Sequence, residues 1–310
     1  MLATSGCQRG RFWLRGHQQD LPPEAFVDRP ALQDVIYVVN ANSDRVQQLQ
    51  TESASLRVEG APALRANLAF ERPRNFRLRA ELFQFTGREL DVGSNQDIFW
   101  FWVRRDEHPA VYFARHDQFR TSPARDLIPI EPERLIESLG LVHLDPKGRH
   151  EGPITRADNR LEIRSLIPSE QGDLTRVLLI DAKYGWVVEQ QLFDPRGQLL
   201  VWAKADKYRF YPADGVSLPH HIDVQVVPGQ PAQMAFALDV SGYLINRLYG
   251  ESARLWTVPQ IEGAPMVDIA APTFRPPPAQ VPAPNAAHAG TVYGAPRTTR
   301  LPLYRGYDIR

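Results

Sequence analysis

The sequence predicts an α+β fold dominated by antiparallel strands. Two observations carry this. Leu64, Ala66, Leu68 and Phe70 alternate with Arg65, Asn67 and Ala69, and Phe76, Leu78, Ala80 and Leu82 alternate with Arg77, Arg79 and Glu81. The polar turn Arg72-Pro73-Arg74-Asn75 joins the two runs, which makes them a hairpin. Roughly ten such strand-like runs follow one another at hairpin spacing, with only two or three helical stretches among them.

The first element is a helix over residues 24–50. Asp28 or Arg29-Pro30 opens it, and Leu32, Val35, Ile36, Val39, Val46 and Leu49 form one apolar face. Asn40, Asn42 and Ser43 in its middle disfavour a straight rod. After the first hairpin come Leu90 to Gly93, then Ile98 to Val103, with four consecutive aromatics at Phe99, Trp100, Phe101 and Trp102, and a short strand at Val111 to Ala114. A short helix spans Pro132 to Leu139 and ends at Gly140. Strand signals resume at Leu161–Leu166, Arg176–Ile180 and Trp186–Phe193. Asp194-Pro195-Arg196-Gly197 is a turn, with Pro at the second position and Gly at the fourth, leading into Leu199–Ala203. Ile222, Val224 and Val226, then Met234, Phe236, Leu238 and Val240, alternate with polar or small residues. Ten of the 27 prolines fall in residues 257–310, so that segment is expected to be an extended tail. Residues 28–256 are expected to form the folded body, and residues 1–27 a tether.

Composition excludes several classes. The 36 Lys and Arg balance 36 Asp and Glu, and the arginines Arg65, Arg77 and Arg79 read as a solvated strand face, so no basic stripe suggests nucleic acid. No run of about 18 apolar residues suggests a spanning helix. A single cysteine excludes an internal disulfide and any multi-cysteine metal site. Nucleophile-elbow, phosphate-loop, dinucleotide and His-Glu-x-x-His motifs are all missing. His220, His221 and Asp223 come nearest to a metal or acid–base set: on a strand His221 and Asp223 share a side and His220 takes the other. No third ligand stands nearby, and His116-Asp117 fares no better. The reading is therefore non-catalytic, with no metal and no cofactor.

Cys7 follows Thr4-Ser5-Gly6, small residues of the kind a lipoprotein signal peptidase accepts, and a polar stretch leads from it to Pro22-Pro23. The basic and apolar parts of such a signal are expected upstream of Met1. Cys7 is then a lipidation site, and the chain is expected to be tied to a membrane through a lipid anchor.

The layout of the helix, the strand Ser55-Leu56-Arg57-Val58-Glu59-Gly60, the turn Arg72 to Leu78, and Asp91 to Trp102 resembles the LolA/LolB-type lipoprotein carriers. The resemblance covers roughly residues 32–248. It implies an unclosed antiparallel half-barrel wrapped over a few helices, in a membrane-anchored lipoprotein of the bacterial envelope facing the periplasm or the cell surface. Its partners would be lipid or lipoprotein acyl chains, held in an apolar cavity. Alternation names Leu68, Phe70, Phe76, Leu78, Leu82, Phe236 and Leu238 as lining residues, with Trp100 and Trp102 chosen over Phe99 and Phe101. The alternative is a structural or interaction protein of the envelope with a side-chain-filled interior, working through its surface and Pro-rich tail.

Overall fold

A computed structural model describes residues 21–82, 87–104, 109–126, 132–227, 233–250 and 252–275. Cys7, its tether to residue 20 and the tail from residue 276 lie outside the described residues.

In chain order, α1 (Leu32–Asp44) leads into β1 (Gln48–Val58), β2 (Leu64–Glu71), β3 (Asn75–Glu81), β4 (Arg88–Ser94), β5 (Ile98–Val103) and β6 (Val111–Arg115). Two short helices, α2 (His116–Phe119) and α3 (Pro132–Ser138), separate this half from β7 (Arg149–Thr155), β8 (Arg160–Ile167), β9 (Leu174–Asp181), β10 (Val187–Phe193) and β11 (Leu199–Asp206). A small hairpin of β12 (Arg209–Tyr211) and β13 (Val216–Leu218) precedes β14 (His221–Val226), β15 (Met234–Val240), β16 (Leu244–Ile245), α4 (Ser252–Leu255) and β17 (Met266–Asp268).

One 15-stranded sheet runs β17-β6-β5-β4-β3-β2-β1-β15-β14-β11-β10-β9-β8-β7, with β16 beside β1. It is unclosed, since β17 and β7 stand at opposite ends, and every pairing is antiparallel except β17 on β6. β1 joins the two halves, pairing with β2 on one side and β15 on the other. The hairpin expected around Asp194-Pro195-Arg196-Gly197 forms: Gly197 donates to the Asp194 carbonyl at 2.9 Å, and the Asp194 carboxylate accepts from the Arg196 and Gln198 amides.

The N-terminal helix is shorter than its apolar pattern. It stops at Asp44, and residues 48–50 already belong to β1. The asparagines explain this. Asn40 exchanges two hydrogen bonds with the Leu144 backbone (2.7 and 2.8 Å), and Asn42 does the same with Ser217 (3.0 and 2.8 Å). Each amide copies a peptide group and fixes a distant segment to the helix, the loop at Leu144 and strand β13 at Ser217. Arg72 then donates to the carbonyls of Ser43 and Val46, closing the helix end against the β2–β3 turn. Val46 and Leu49 face the sheet core rather than the α1 cluster.

The boundary expected at Thr257 also moves. Val258, Ile261 and Ala264 pack on Trp100, Trp102 and Val111; β17 pairs with β6; and Ile269 and Phe274 pack with Phe99 and Phe119. Residues 257–275 thus cross from one sheet face to the other around the β6 edge and belong to the folded body. Proline marks extended chain here, and extended chain pairs with an edge strand as readily as it stays free.

Candidate functional site at the inner face of the sheet

Residues directly opposite in antiparallel strands point to the same face, so the register defines the inner face. One row runs Leu49, Phe70, Phe76, Ser94, Phe99, Ala114, and the next Thr51, Leu68, Leu78, Val92, Phe101, Tyr112. Beyond β1, Leu238 continues from Leu56 to Ile222, and Phe236 from Val58 to Val224. Leu68, Phe70, Phe76, Leu78 and Leu238 therefore share this face and are buried in one core cluster, with Phe236 half-buried against it. Leu82 is half-buried just past the end of β3.

The tryptophans do not join them. Trp100 pairs with Gly93 and Trp102 with Asp91, in the outer rows that contain Arg77 and Arg79. The choice of the Trp face is corrected: Phe99 and Phe101 look inward. Alternation could not decide this, because both faces of β5 are covered, the outer one by the segment 258–264.

Side chains of the described residues occupy much of the expected apolar space. α1 covers β8 and β9 with Val35, Ile36 and Val39, while Ile136, Leu139 and Leu141 of α3 and its C-terminal extension join the central cluster. Two small voids flank α3 against β10 and β11, each of about 10 Å³, the room of about one water. Three polar contacts fasten α3 to its surroundings: Glu133 lies 3.6 Å from Arg74 and 3.9 Å from His116, and Glu137 receives Arg176 at 3.1 Å. Within the helix, Arg134 meets Glu137 at 2.9 Å.

At one end of the sheet the inner face reaches solvent. Val58, Val103 and Met234 are 39%, 40% and 56% exposed, with Leu64, Leu90 and Phe236 half-buried behind them. These residues leave an apolar margin where the inner face meets solvent, here termed its mouth. Sequence reading passed over Val58 and Met234, although both stand in phase with Leu56 and Phe236.

The histidines take structural positions. His221 and Asp223 do share a side, 3.1 Å apart, and His221 also meets Asp239 at 2.8 Å. Arg57 and Lys207 complete that cluster. Burial alone would raise the Asp239 carboxyl, but the His221 hydrogen bond and the His221 and Arg57 charges outweigh it and hold it below the ordinary range. His220 points the other way, with Nδ1 donating to the Val240 carbonyl (2.6 Å) and Nε2 accepting from Tyr211 (2.9 Å). No group of three His, Cys, Asp or Glu among the described residues is placed to hold a metal ion. Ser94, His116 and Glu133 line up like a nucleophile, base and acid, at 3.3 and 3.9 Å. However, His116 Nε2 also sits 3.0 Å from the Asn95 carbonyl, which can only accept. The nitrogen facing Ser94 therefore carries a hydrogen and cannot take the serine proton.

On the outer face Arg77 is not solvated, contrary to its place in the alternating run. It pairs with Asp91 through two hydrogen bonds, and its Nη1 donates to the carbonyls of Arg254, Leu255 and Thr257. Trp100 Nε1 and Arg88 also donate to Asp91. A Cβ on Gly93 would lie 2.2 Å from the Trp100 ring, so this ring can lie flat on the sheet only over glycine.

No family model and no curated protein matches the chain. Among solved structures it is similar to a putative outer membrane lipoprotein-sorting protein domain from Vibrio parahaemolyticus, 10% identical over 71% of this chain and 95% of that one, with a TM-score of 0.46. A DUF1329 family protein from Desulfovibrio piger is 11% identical over 72% and 97%, with a TM-score of 0.47. A LolA superfamily protein from Nitrosomonas europaea is 10% identical over 71% and 96%, with a TM-score of 0.41. These likenesses are loose, and the architecture above stands on this chain's own strand pairing.

Proposed function

We propose that this chain is a non-catalytic envelope protein that holds the acyl chains of a lipid or lipoprotein against the inner face of its sheet. One observation carries the reading: a wide apolar inner face with an apolar mouth is covered by a helix of only about two turns, α3, held by Ile136 in the core and by its carboxylates on Arg74 and Arg176. A buried methylene contributes about 0.8 kcal/mol, so about ten of them contribute about 8 kcal/mol toward lifting a helix of 7 residues. The affinity is non-directional, in keeping with a carrier rather than a catalyst.

Lipidation at Cys7 would set the chain on a membrane; the tether expected to run to residue 27 is shorter, because the Ala25 amide donates to the Lys183 carbonyl at 2.7 Å and Phe26 packs on the α1 cluster. An upstream signal sequence fused to the chain should then bring it to membranes, and Cys7→Ser should release it. Equal soluble recovery of both forms contradicts the anchor.

The largely filled interior favours a second reading, an interaction protein with no ligand. Native mass spectrometry of the purified full chain separates the two. Co-purified lipid, lost on denaturation, supports the carrier, and a bare mass after incubation with a range of acyl lipids supports the ligand-free protein.

A further inference from the structure

Arg176 is the anomaly of the inner face. It lies on β9 between Ser165 and Leu192 in register, and it is 4% exposed. Its Nη2 donates to the His143 carbonyl at 3.0 Å and its Nη1 to Glu137 at 3.1 Å, while its buried Nε meets no acceptor among the described residues. The carboxylate that balances this buried cation therefore belongs to α3, the element that must lift if a chain is to enter. One of the two voids beside α3 is lined by Arg134, Glu137, Arg176, Gln190, Leu192 and Val201. The inner-face row starting at Arg176 continues through Leu192, Val201 and Val226 to Met234 at the mouth. Four strand steps of this kind cover about 19 Å of sheet, on the scale of a long acyl chain.

We infer that the ligand is an acyl lipid with an oxyanion head, and that its carboxylate or phosphate replaces Glu137 on Arg176 while its chain runs along the Leu192–Met234 row to the mouth. This rests on the acyl-chain reading above and deepens it. The reasoning is one of charge. Lifting α3 with Glu137 strands a guanidinium in an apolar groove, which is costly unless the incoming ligand supplies a new counter-charge. An oxyanion also offers enough lone pairs to take the Nε hydrogen that now has no partner. A neutral acyl chain does neither.

The test is isothermal titration of the full chain with dodecanoate, dodecanol and acetate, using the wild type, Arg176→Gln and Glu137→Gln. The wild type should bind dodecanoate about tenfold more tightly than dodecanol, the scale of one charged hydrogen-bonded contact. Arg176→Gln should erase the difference while still binding dodecanol. Glu137→Gln should tighten dodecanoate and leave dodecanol less affected, because the internal competitor is gone. If Arg176→Gln does not fold, the Glu137→Gln arm decides: no relative gain for dodecanoate overturns the inference. Equal binding of both lipids by the wild type, or a preference that survives in Arg176→Gln, overturns the head-group assignment and leaves the acyl-chain reading standing. Acetate binding as tightly as dodecanoate makes this a free-anion site and overturns the lipid source. Binding of neither lipid overturns the acyl-chain reading together with this inference.

Discussion

Arg77 and Asp91 form a buried two-pronged pair on the outer face of the sheet, Nε to Oδ1 at 3.0 Å and Nη2 to Oδ2 at 2.8 Å, with Asp91 0% exposed. The pair binds β3 to β4, and through the remaining guanidinium hydrogens it ties down the carbonyls at 254, 255 and 257. Arg77→Met leaves Asp91 to Arg88 and the Trp100 indole and takes this donor from the three carbonyls. It is therefore expected to cost about 1–3 kcal/mol, measured by urea unfolding. Arg65→Met, on an exposed side chain of the same hairpin, should stay within about 0.5 kcal/mol.

Truncation gives an independent check on the folded boundary. Removing everything after Trp256 uncovers Trp100, Trp102 and Val111 and deletes β17. The melting temperature should fall clearly. Ending the chain after Arg275 instead keeps those contacts, and the melting temperature should stay close to that of the full chain. Equal melting of the two truncated forms would contradict the role given to residues 257–275.

Much of this fold was legible in the chain. Most strands from Leu64 to Val240 were visible because one side of each is apolar and the alternation survives in short windows, but β12 and β13, of three residues each, are too short to show it. β7 was not, because Arg149 to Thr155 at the sheet edge is largely exposed and carries no alternation. The candidate site was half legible. Leu68, Phe70, Phe76 and Leu78 fall on the inner face because their outer neighbours are polar, whereas β5 is aromatic on both faces and gives no sign of direction. Arg77 read as solvated for a related reason. Its cover comes from residues about 180 positions away, and no local pattern records that. Arg176 looked like one more polar residue in a strand, and only the register places it inside.

The mouth can be probed without disturbing the core. Met234→Glu changes an exposed residue, so the fold should be kept, while a carboxylate there would lose hydration against the apolar end of a bound chain. Binding of a fluorescent fatty acid should weaken several-fold with the melting temperature nearly unchanged. Leu78→Glu, by contrast, puts an unpaired carboxylate into the core, and loss of cooperative folding by circular dichroism is expected.

Stability should also depend on pH through His220. Burial lowers its proton affinity in the folded chain, against the pull of the Val240 carbonyl. Below the unfolded value of about 6.5, the unfolded chain takes up a proton that the folded chain refuses. The stability is therefore full above that pH and is lost as the pH falls toward the folded value, by up to about 1.4 kcal/mol per pH unit. His220→Asn should be less stable at pH 7.5 but show a shallower loss between pH 6.5 and 5.5 in denaturant unfolding. A slope identical to wild type would remove His220 from the explanation.

Hydrogen–deuterium exchange of the full chain, with and without saturating dodecanoate, addresses the central claim most directly. The amides of α3 that follow Pro132, through Ser138, should exchange faster on binding as the helix lifts, while those of β9, β10 and β11 keep or gain protection. Saturation with dodecanoate that leaves α3 unchanged, or that alters only the outer face around Arg77 and Trp100, would contradict it.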